Sequence, residues 1–312
     1  MPKQTKYLFG PVPSRRLGLS LGVDIIPLKT CTQNCIYCQL GVDGIVTLKR
    51  KAYVPIDAVL AELTERVAAG LQADYITLSG SGEPTLNLQI GQIIDGIKEI
   101  TDIPVAVLTN GTLFTDPAVR ADCAKADIVL PSLDAGNEET FRRINRPHKN
   151  ISFTSLVKGL CKFRVEFTGQ IWLEVFFCDR INTDPRQIEK IKTIIERIDP
   201  DKIQLNTTVR PAVDASAIRV GPEKLKAIAE QLGEKAEVVA NFSKAASTAK
   251  TQLAGRKQNI LEMLKRRPCS LDDICSALGI YRNEALKYLA DLEKTGKITS
   301  ESPAGVLYFK KK

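Results

Sequence analysis

The stretch TCTQNCIYCQL, residues 30–40, sets cysteines at 31, 35 and 38, with Tyr37 directly before the last. Three is an unusual number. A structural zinc takes four protein ligands, and an electron-transfer iron–sulfur cluster takes four cysteines. Three thiolates can hold three irons of a 4Fe-4S cube and leave the fourth without a protein ligand. An open coordination position is what makes a metal site catalytic. Two other readings use the same residues: a zinc knuckle with a distant fourth ligand, or three cysteines of an ordinary core. The chain's one histidine, His148, is a poor fourth ligand by its place in the sequence.

Upstream of this loop lies LSLGVDII (19–26), a strand-like apolar run. Five more follow: DYITLSG (74–80), PVAVLTN (104–110), DIVLPSL (127–133), IWLEVFF (171–177) and KIQLNT (202–207). Helix-like stretches stand between them at 55–69, 89–99, 137–145, 151–164 and 184–197. Strands separated by helical segments imply a parallel sheet with right-handed crossovers. Six such units make an open partial (β/α)6 barrel, an α/β fold short of the eight units of a closed one. The cysteine loop is expected to leave the first strand and enter a helix.

The 312 residues are 44% hydrophobic and 26% charged, an ordinary globular composition. No apolar run approaches the roughly 18 residues of a membrane span. The first residues, MPKQTKYLFGPVPSRR, lack the apolar stretch of a secretory signal. A cytoplasmic place with reduced thiols and no membrane contact is the expectation. There, eight cysteines with a tight cluster indicate metal or catalysis rather than disulfides. The net charge of +8 suits an anionic partner without identifying one.

Residues 241–254 are small, polar and mixed, and read as a linker between a barrel at 1–240 and a second domain at 255–312. In that domain RKQNILEMLKRRP is a short helix stopped by Pro268. SLDDICSALG is a second, with Ser270 as N-cap, Asp273 three residues on and Gly279 at its end. YRNEALKYLADLEKTG is a third, and KITSESPAGVLYFKKK reads as two strands around a Ser-Pro-Ala-Gly turn. This order predicts a winged helix-turn-helix module. Its twelve Lys/Arg against seven Asp/Glu give +5. Such modules usually read DNA with the third helix, whose start carries Arg282, Asn283 and Lys287. They also bind proteins and leader peptides.

Several barrel residues fall at strand ends, where barrel enzymes place their chemistry. In LSGSGEPTLN (78–87), Ser79, Gly80, Ser81 and Gly82 expose backbone groups to a ligand, or simply make a tight turn. Ser132 and Asp134 of PSLDA alternate and point to one side. Asn110 of LTNG ends the third strand at the same rim. Glu174, Phe176 and Cys178 share one face of the fifth strand. A glutamate in so apolar a strand needs a partner. Cys178 nearer the rim suits a hydrogen-atom donor or substrate contact, or is a plain buried cysteine. Arg15, Arg16, Arg146 and His148 flank these elements and suit a carboxylate or phosphate, or are solvated surface.

Cys31-x3-Cys35-x2-Cys38 with Tyr37 resembles the motif of the radical S-adenosylmethionine (SAM) superfamily, and the likeness runs from Cys31 to about Asn206. The resemblance implies one 4Fe-4S cluster on Cys31, Cys35 and Cys38, with the amino and carboxylate groups of SAM on the open iron. An electron, from a reductant such as flavodoxin or ferredoxin, cleaves the sulfonium to methionine and a 5′-deoxyadenosyl radical that removes hydrogen from a substrate. GSGEP is similar to the family's Gly-Gly-Glu segment, with Ser81 in place of the first glycine. The SAM contacts so implied are Ser79, Gly80, Ser81, Gly82, Glu83 and Pro84. Asn110, Ser132 and Asp134 fall near the ribose, Glu174 near SAM, and Asn206 where the last strand meets adenine. Tyr37 falls beside the adenine through its backbone.

Within the superfamily, YLFGPVPSRRLGLSLGVDIIPLKTCTQNCIYCQLG together with SGSGEPTL, SLDA and INRPH looks like the Fe-S oxidoreductases related to wyosine tRNA-modifying enzymes. The wyosine reaction is not implied, because those enzymes carry a second cluster on N-terminal cysteines and none precedes Cys31. The expectation is a radical SAM enzyme whose substrate, a nucleic acid, is delivered with the C-terminal module. The alternatives are an activase or modifying enzyme acting on a protein or peptide, and an Fe-S-dependent DNA-binding regulator.

Overall fold

A computed structural model of the chain describes residues 7–38, 40, 44–208, 214–240, 256–261, 263–264, 268–278, 280, 282–302 and 307–312. All six expected strands are present: β2 (Leu19–Val23), β5 (Tyr75–Leu78), β6 (Val105–Thr109), β7 (Ile128–Pro131), β8 (Gln170–Phe177) and β9 (Lys202–Thr207). They pair in parallel in that order. Two short strands extend the sheet: β1 (Leu8–Pro13), antiparallel to β2, and β10 (Ala236–Val238), parallel to β9. They are the two ends of the eight-stranded order, so the barrel is not closed. Two-residue strands, β3 (Thr30–Cys31) and β4 (Ile45–Val46), pair beside it.

The crossover helices are α1 (Ile56–Ala68), α2 (Ile90–Ile100), α3 (Pro117–Cys123), α4 (Glu138–Asn145), α5 (Phe153–Glu166), α6 (Pro185–Ile198) and α7 (Pro222–Leu232). Local chemistry starts them. Asn137 caps α4, Ser152 and Ser155 form a capping box at α5, and Asp184 caps α6 ahead of Pro185. Sequence periodicity missed α3, which has seven residues, and α7. It also missed β1, whose prolines fit a strand only at a sheet edge. The cysteine loop does not enter a helix. Residues after Cys31 form a turn, and the next helix among the described residues is α1.

Alternation along the strands separates two layers. Leu21 and Val23, Ile76 and Leu78, Val105 and Val107, Leu173, Val175 and Phe177, and Ile203 and Leu205 face the helices in one large core. The alternate residues face the lumen. At its floor Leu17, Ala106, Ile128, Leu130 and Trp172 pack together. Higher up, Ile36, Ile144, Phe176, Cys178, Ile181 and Ala217 form another group. Burying each such aliphatic side chain contributes about 1.5–3 kcal/mol.

The C-terminal unit has its own core, built from Ile260, Leu264, Ile274, Leu286, Leu289, Leu292, Ile298 and Phe309 among others. Strand β11 (Cys269–Ser270), helices Leu271–Leu278 and Arg282–Lys294, and strands β12 (Ile298–Glu301) and β13 (Tyr308–Lys311) form it, with sheet order β11-β13-β12. Ser270 and Asp273 exchange hydrogen bonds at the start of the Leu271–Leu278 helix, as a capping box does. The expected linker 241–254, Gly279, and most of the expected turn at 302–305 lie outside the described residues. No helix among the described residues is long and apolar enough to cross a membrane.

Candidate functional site

Cys31, Cys35 and Cys38 occupy the rim above the lumen, on backbone stitched to two other elements. Asn34 N and Ile36 N donate to the carbonyls of Asn145 and Ile144 at the end of α4, at 3.0 and 2.9 Å. On the other side Lys29 N donates to Ser81 O at 2.6 Å and Glu83 N to Thr30 O at 3.0 Å. Gly82 permits this approach. A Cβ there would meet Thr30 O at 2.0 Å. Gly80 has φ +155, and a Cβ on it would strike the Asp24 carboxyl.

The three cysteines are partly exposed free thiols. Amides of Asn110 and Asn145 lie 3.5 Å from Cys31 Sγ and Cys35 Sγ. Burial pushes the Cys31 thiol up to about 12, with the nearby Glu83 charge adding to it. Burial pushes Cys35 up as well, followed by the charges of Cys31, Asp134 and Cys38. The raised Cys31 and Cys35 thiols thus hold their protons until a cation draws them off, and a coordinating thiol is deprotonated outright. No three such side chains among the described residues converge on a single-ion site. His148 is a turn residue: its N–H donates to Thr32 O and its Nδ1 accepts from Asn150 N.

Glu83 is 2% exposed. Its Oε1 accepts from Thr85 N, Thr85 Oγ1 and Thr109 Oγ1 at 3.0, 2.6 and 2.6 Å, and Oε2 from Asn110 N at 2.7 Å. Burial nonetheless raises this carboxyl above its ordinary value. Pro84 opens a short 3-10 turn behind it. Asn110 donates to Thr32 Oγ1 and caps Thr112. Sequence reasoning missed Asp24, which accepts from Ser81 N and Ser81 Oγ at 3.1 and 2.5 Å and so fixes the glycine-rich segment. Its one legible signal was a carboxylate inside the apolar run GVDII. Ser79 N donates to Val23 O, tying the segment to β2.

Asp134 is as deeply set, 2% exposed. Oδ2 accepts from Tyr37 Oη at 2.5 Å and Asn145 Nδ2 at 2.6 Å, and Oδ1 from Phe176 N at 2.9 Å. Burial pushes it up to about 6 against the pull of those bonds. The Tyr37 ring stacks on Phe176 with centroids 3.8 Å apart. Ser132 bridges to Glu174 across β7 and β8. Cys178 is 0% exposed. Its N–H donates to Asn182 Oδ1, and burial pushes its thiol up to about 12.

Glu174 lies one layer below. It pairs with Arg16 at 2.9 Å and accepts from Asn206 Nδ2 at 2.8 Å, while Asn206 Oδ1 accepts from Arg15 at 3.0 Å. This places Asn206 in the lumen with the arginines. Arg146 instead pairs with Asp214 at 2.7 Å.

The Arg282–Lys294 helix begins against the barrel. Asn283 Nδ2 donates to Gly80 O at 2.9 Å, on the glycine-rich segment itself. Arg282 pairs with Asp272; burial lowers its pKa while the Cys38 charge raises it. Asn283 thus reaches the barrel, and Arg282 lies near enough to Cys38 to feel its charge.

Residues 25–173 match the model of the radical SAM superfamily. A UPF0026 protein of Methanocaldococcus jannaschii is 33% identical over 233 residues, which cover 74% of this chain and 71% of that one. The chain belongs to the UPF0026 family, within the radical SAM superfamily. A Brachyspira hyodysenteriae protein named GTPase Obg is 38% identical over 307 residues, 98% of this chain but 45% of the relative, so the UPF0026 chain spans less than half of that protein. Residues 256–305 match the model of FaeA-like protein. The barrel is similar to a solved structure of TYW1 with a lysine-pyruvate adduct bound: TM-score 0.51, 20% identity, 68% of this chain and 72% of that one. At that identity the likeness concerns the fold alone. Members of the superfamily use a 4Fe-4S cluster and SAM.

Proposed function

We propose that this UPF0026 chain is an enzyme that cleaves SAM reductively at its barrel rim and directs the resulting radical into the lumen. The observation carrying this is the joining of three neighbouring thiols, Cys31, Cys35 and Cys38, to the Ser79–Gly82 segment by backbone hydrogen bonds. When bound, the cluster supplies the electron that splits SAM into methionine and a 5′-deoxyadenosyl radical, which takes hydrogen from the substrate.

The chain's own residues bind and orient. The open backbone of Ser79, Gly80, Ser81 and Gly82 receives the methionine part of SAM, with Pro84 behind it. Glu83 Oε2 holds one donor against three on Oε1, so it is the oxygen left to accept from the SAM ammonium. Asn110 steers Cys31. Ser132, Asp134 and the Tyr37 backbone line the nucleoside side, and the Tyr37–Phe176 stack stands one layer above the arginines. We read the C-terminal unit as a winged-helix module packed on the glycine-rich segment; its inward-turned Arg282 and Asn283 favour the enzyme over a DNA-binding regulator. The test is anaerobic reconstitution with iron and sulfide, then SAM and dithionite. 5′-Deoxyadenosine is expected from the wild type and none from Cys35→Ala. A cluster-loaded wild type that makes none would overturn the reading.

A further inference from the structure

At the foot of the lumen two arginines meet a single glutamate. The β1–β2 turn is closed by Ser14 N donating to Gly18 O at 2.6 Å, and Ser14 Oγ accepts from Arg16 N and Leu17 N. Leu17, 2% exposed, locks the turn into the apolar floor beside Trp172. Arg15 and Arg16 are thereby fixed directly above that floor, facing Glu174 and Asn206.

Two guanidinium groups meet one carboxylate there. Burial works to raise the Glu174 carboxyl, but Arg16, Asn206 and Arg15 outweigh it and hold it below the ordinary value, so Glu174 is charged. The Arg15–Arg16–Glu174 group is then net positive by one. Glu174 also orients the Asn206 amide, whose oxygen faces Arg15. Among the described residues this neutral amide is the one hydrogen-bond partner of the Arg15 side chain, which has five N–H donors. Arg16 Nη1 lies 2.9 Å from Glu174 Oε2 without an aligned hydrogen bond. The Arg15 guanidinium thus keeps donors free for an anion. Arg15 stays exposed, and Arg16 and Glu174 keep 17% of their side-chain surface, so solutes reach the layer.

We infer that Arg15, backed by Arg16, is the floor of the substrate site and takes a carboxylate or phosphate group of a small substrate. A planar guanidinium fork matches either oxyanion bidentately. The inference rests on the reading that the radical forms at the rim. Glu174, Phe176 and Cys178 succeed one another on the lumen face of β8. Each layer rises about 7 Å, two residues of strand. A substrate anchored at Arg15 therefore presents an atom about one to two layers higher to the rim. The other basic groups of the region serve elsewhere: Arg146 pairs with Asp214 and Arg282 with Asp272.

The test titrates inorganic phosphate and, separately, acetate into the full chain at constant ionic strength, followed calorimetrically. Formation of 5′-deoxyadenosine by the same preparation is measured apart. Saturable binding of one anion is expected, weakened at least tenfold in Arg15→Gln and retained in Arg15→Lys. A surface change of equal charge, Lys162→Gln, should leave the titration as in wild type. Preference for phosphate or for acetate assigns the group. No binding, or binding equal in Arg15→Gln by a variant whose circular dichroism matches wild type, overturns the inference, and does so whether or not SAM is cleaved. Absence of 5′-deoxyadenosine alongside Arg15-dependent binding would sink the enzyme reading and leave the anion site standing.

Discussion

Asp134 shows how single residues of this site are tuned. Its carboxyl is raised by burial to about 6 while Tyr37, Asn145 and Phe176 N donate to its oxygens. The folded value lies above the unfolded one, about 3.9 for an aspartate. The stability this group contributes is therefore fully present below about pH 3.9 and is lost as pH rises through about 6. Tyr37→Phe removes a donor to the charged form. The Asp134 carboxyl should then titrate above its wild-type value in a carbon-13 NMR titration, and the fold should lose about 1–2 kcal/mol by chemical denaturation. An unchanged or lower titration would contradict the role given to the Tyr37 hydroxyl. At this scale the sequence was informative about residue type and silent about partners. Glu174 in an apolar strand announced a need for a partner, and Arg16 answers it. That Asp24 holds Ser81 was not legible, because the contact joins residues 57 apart in sequence.

The element that matters most is the pair formed by the cysteine loop and the glycine-rich segment. Thr30 bridges to Gly82, and a Cβ at 82 would sit 2.0 Å from Thr30 O. Backbone cannot yield as a flexible side chain can. Gly82→Ala should cost about 1–3 kcal/mol in thermal or denaturant unfolding and reduce the iron bound per chain after reconstitution. Wild-type stability and iron content would show that the two elements need not touch so closely. Strands with a clear apolar run were legible because the lumen and helix faces alternate along them. β8 reads Trp172, Glu174, Phe176, Cys178 on one side and Leu173, Val175, Phe177 on the other. Edge elements were not: β1 is interrupted by prolines, and β10 is three residues long. The turn that follows Cys31 was expected to enter a helix; its backbone at Asn34 and Ile36 is held instead by distant carbonyls of α4, which local pattern does not reveal.

Over the whole molecule, two units with separate apolar cores are linked where Asn283 donates to Gly80 O. In the C-terminal unit the helices Leu271–Leu278 and Arg282–Lys294 and the strands β12 and β13 fall where the sequence placed them, and β11 was not expected. Which way the unit's third helix faces was not legible, since a polar helix start looks the same toward solvent or toward a partner. If that contact shields the glycine-rich segment, removing residues 255–312 should speed hydrogen exchange in peptides covering 79–83, with Asn283→Ala giving a smaller effect in the same direction. Exchange unchanged by the deletion would show that the module does not cover the segment in solution.

The most direct measurement remains the fate of SAM on the full chain, reconstituted anaerobically and reduced. 5′-Deoxyadenosine and methionine are expected in equal amounts from the wild type, and neither above background from Cys35→Ala. A fully loaded wild type that leaves SAM intact, or a Cys35→Ala chain that cleaves it equally well, would contradict the assignment of Cys31, Cys35 and Cys38 as the seat of a radical enzyme.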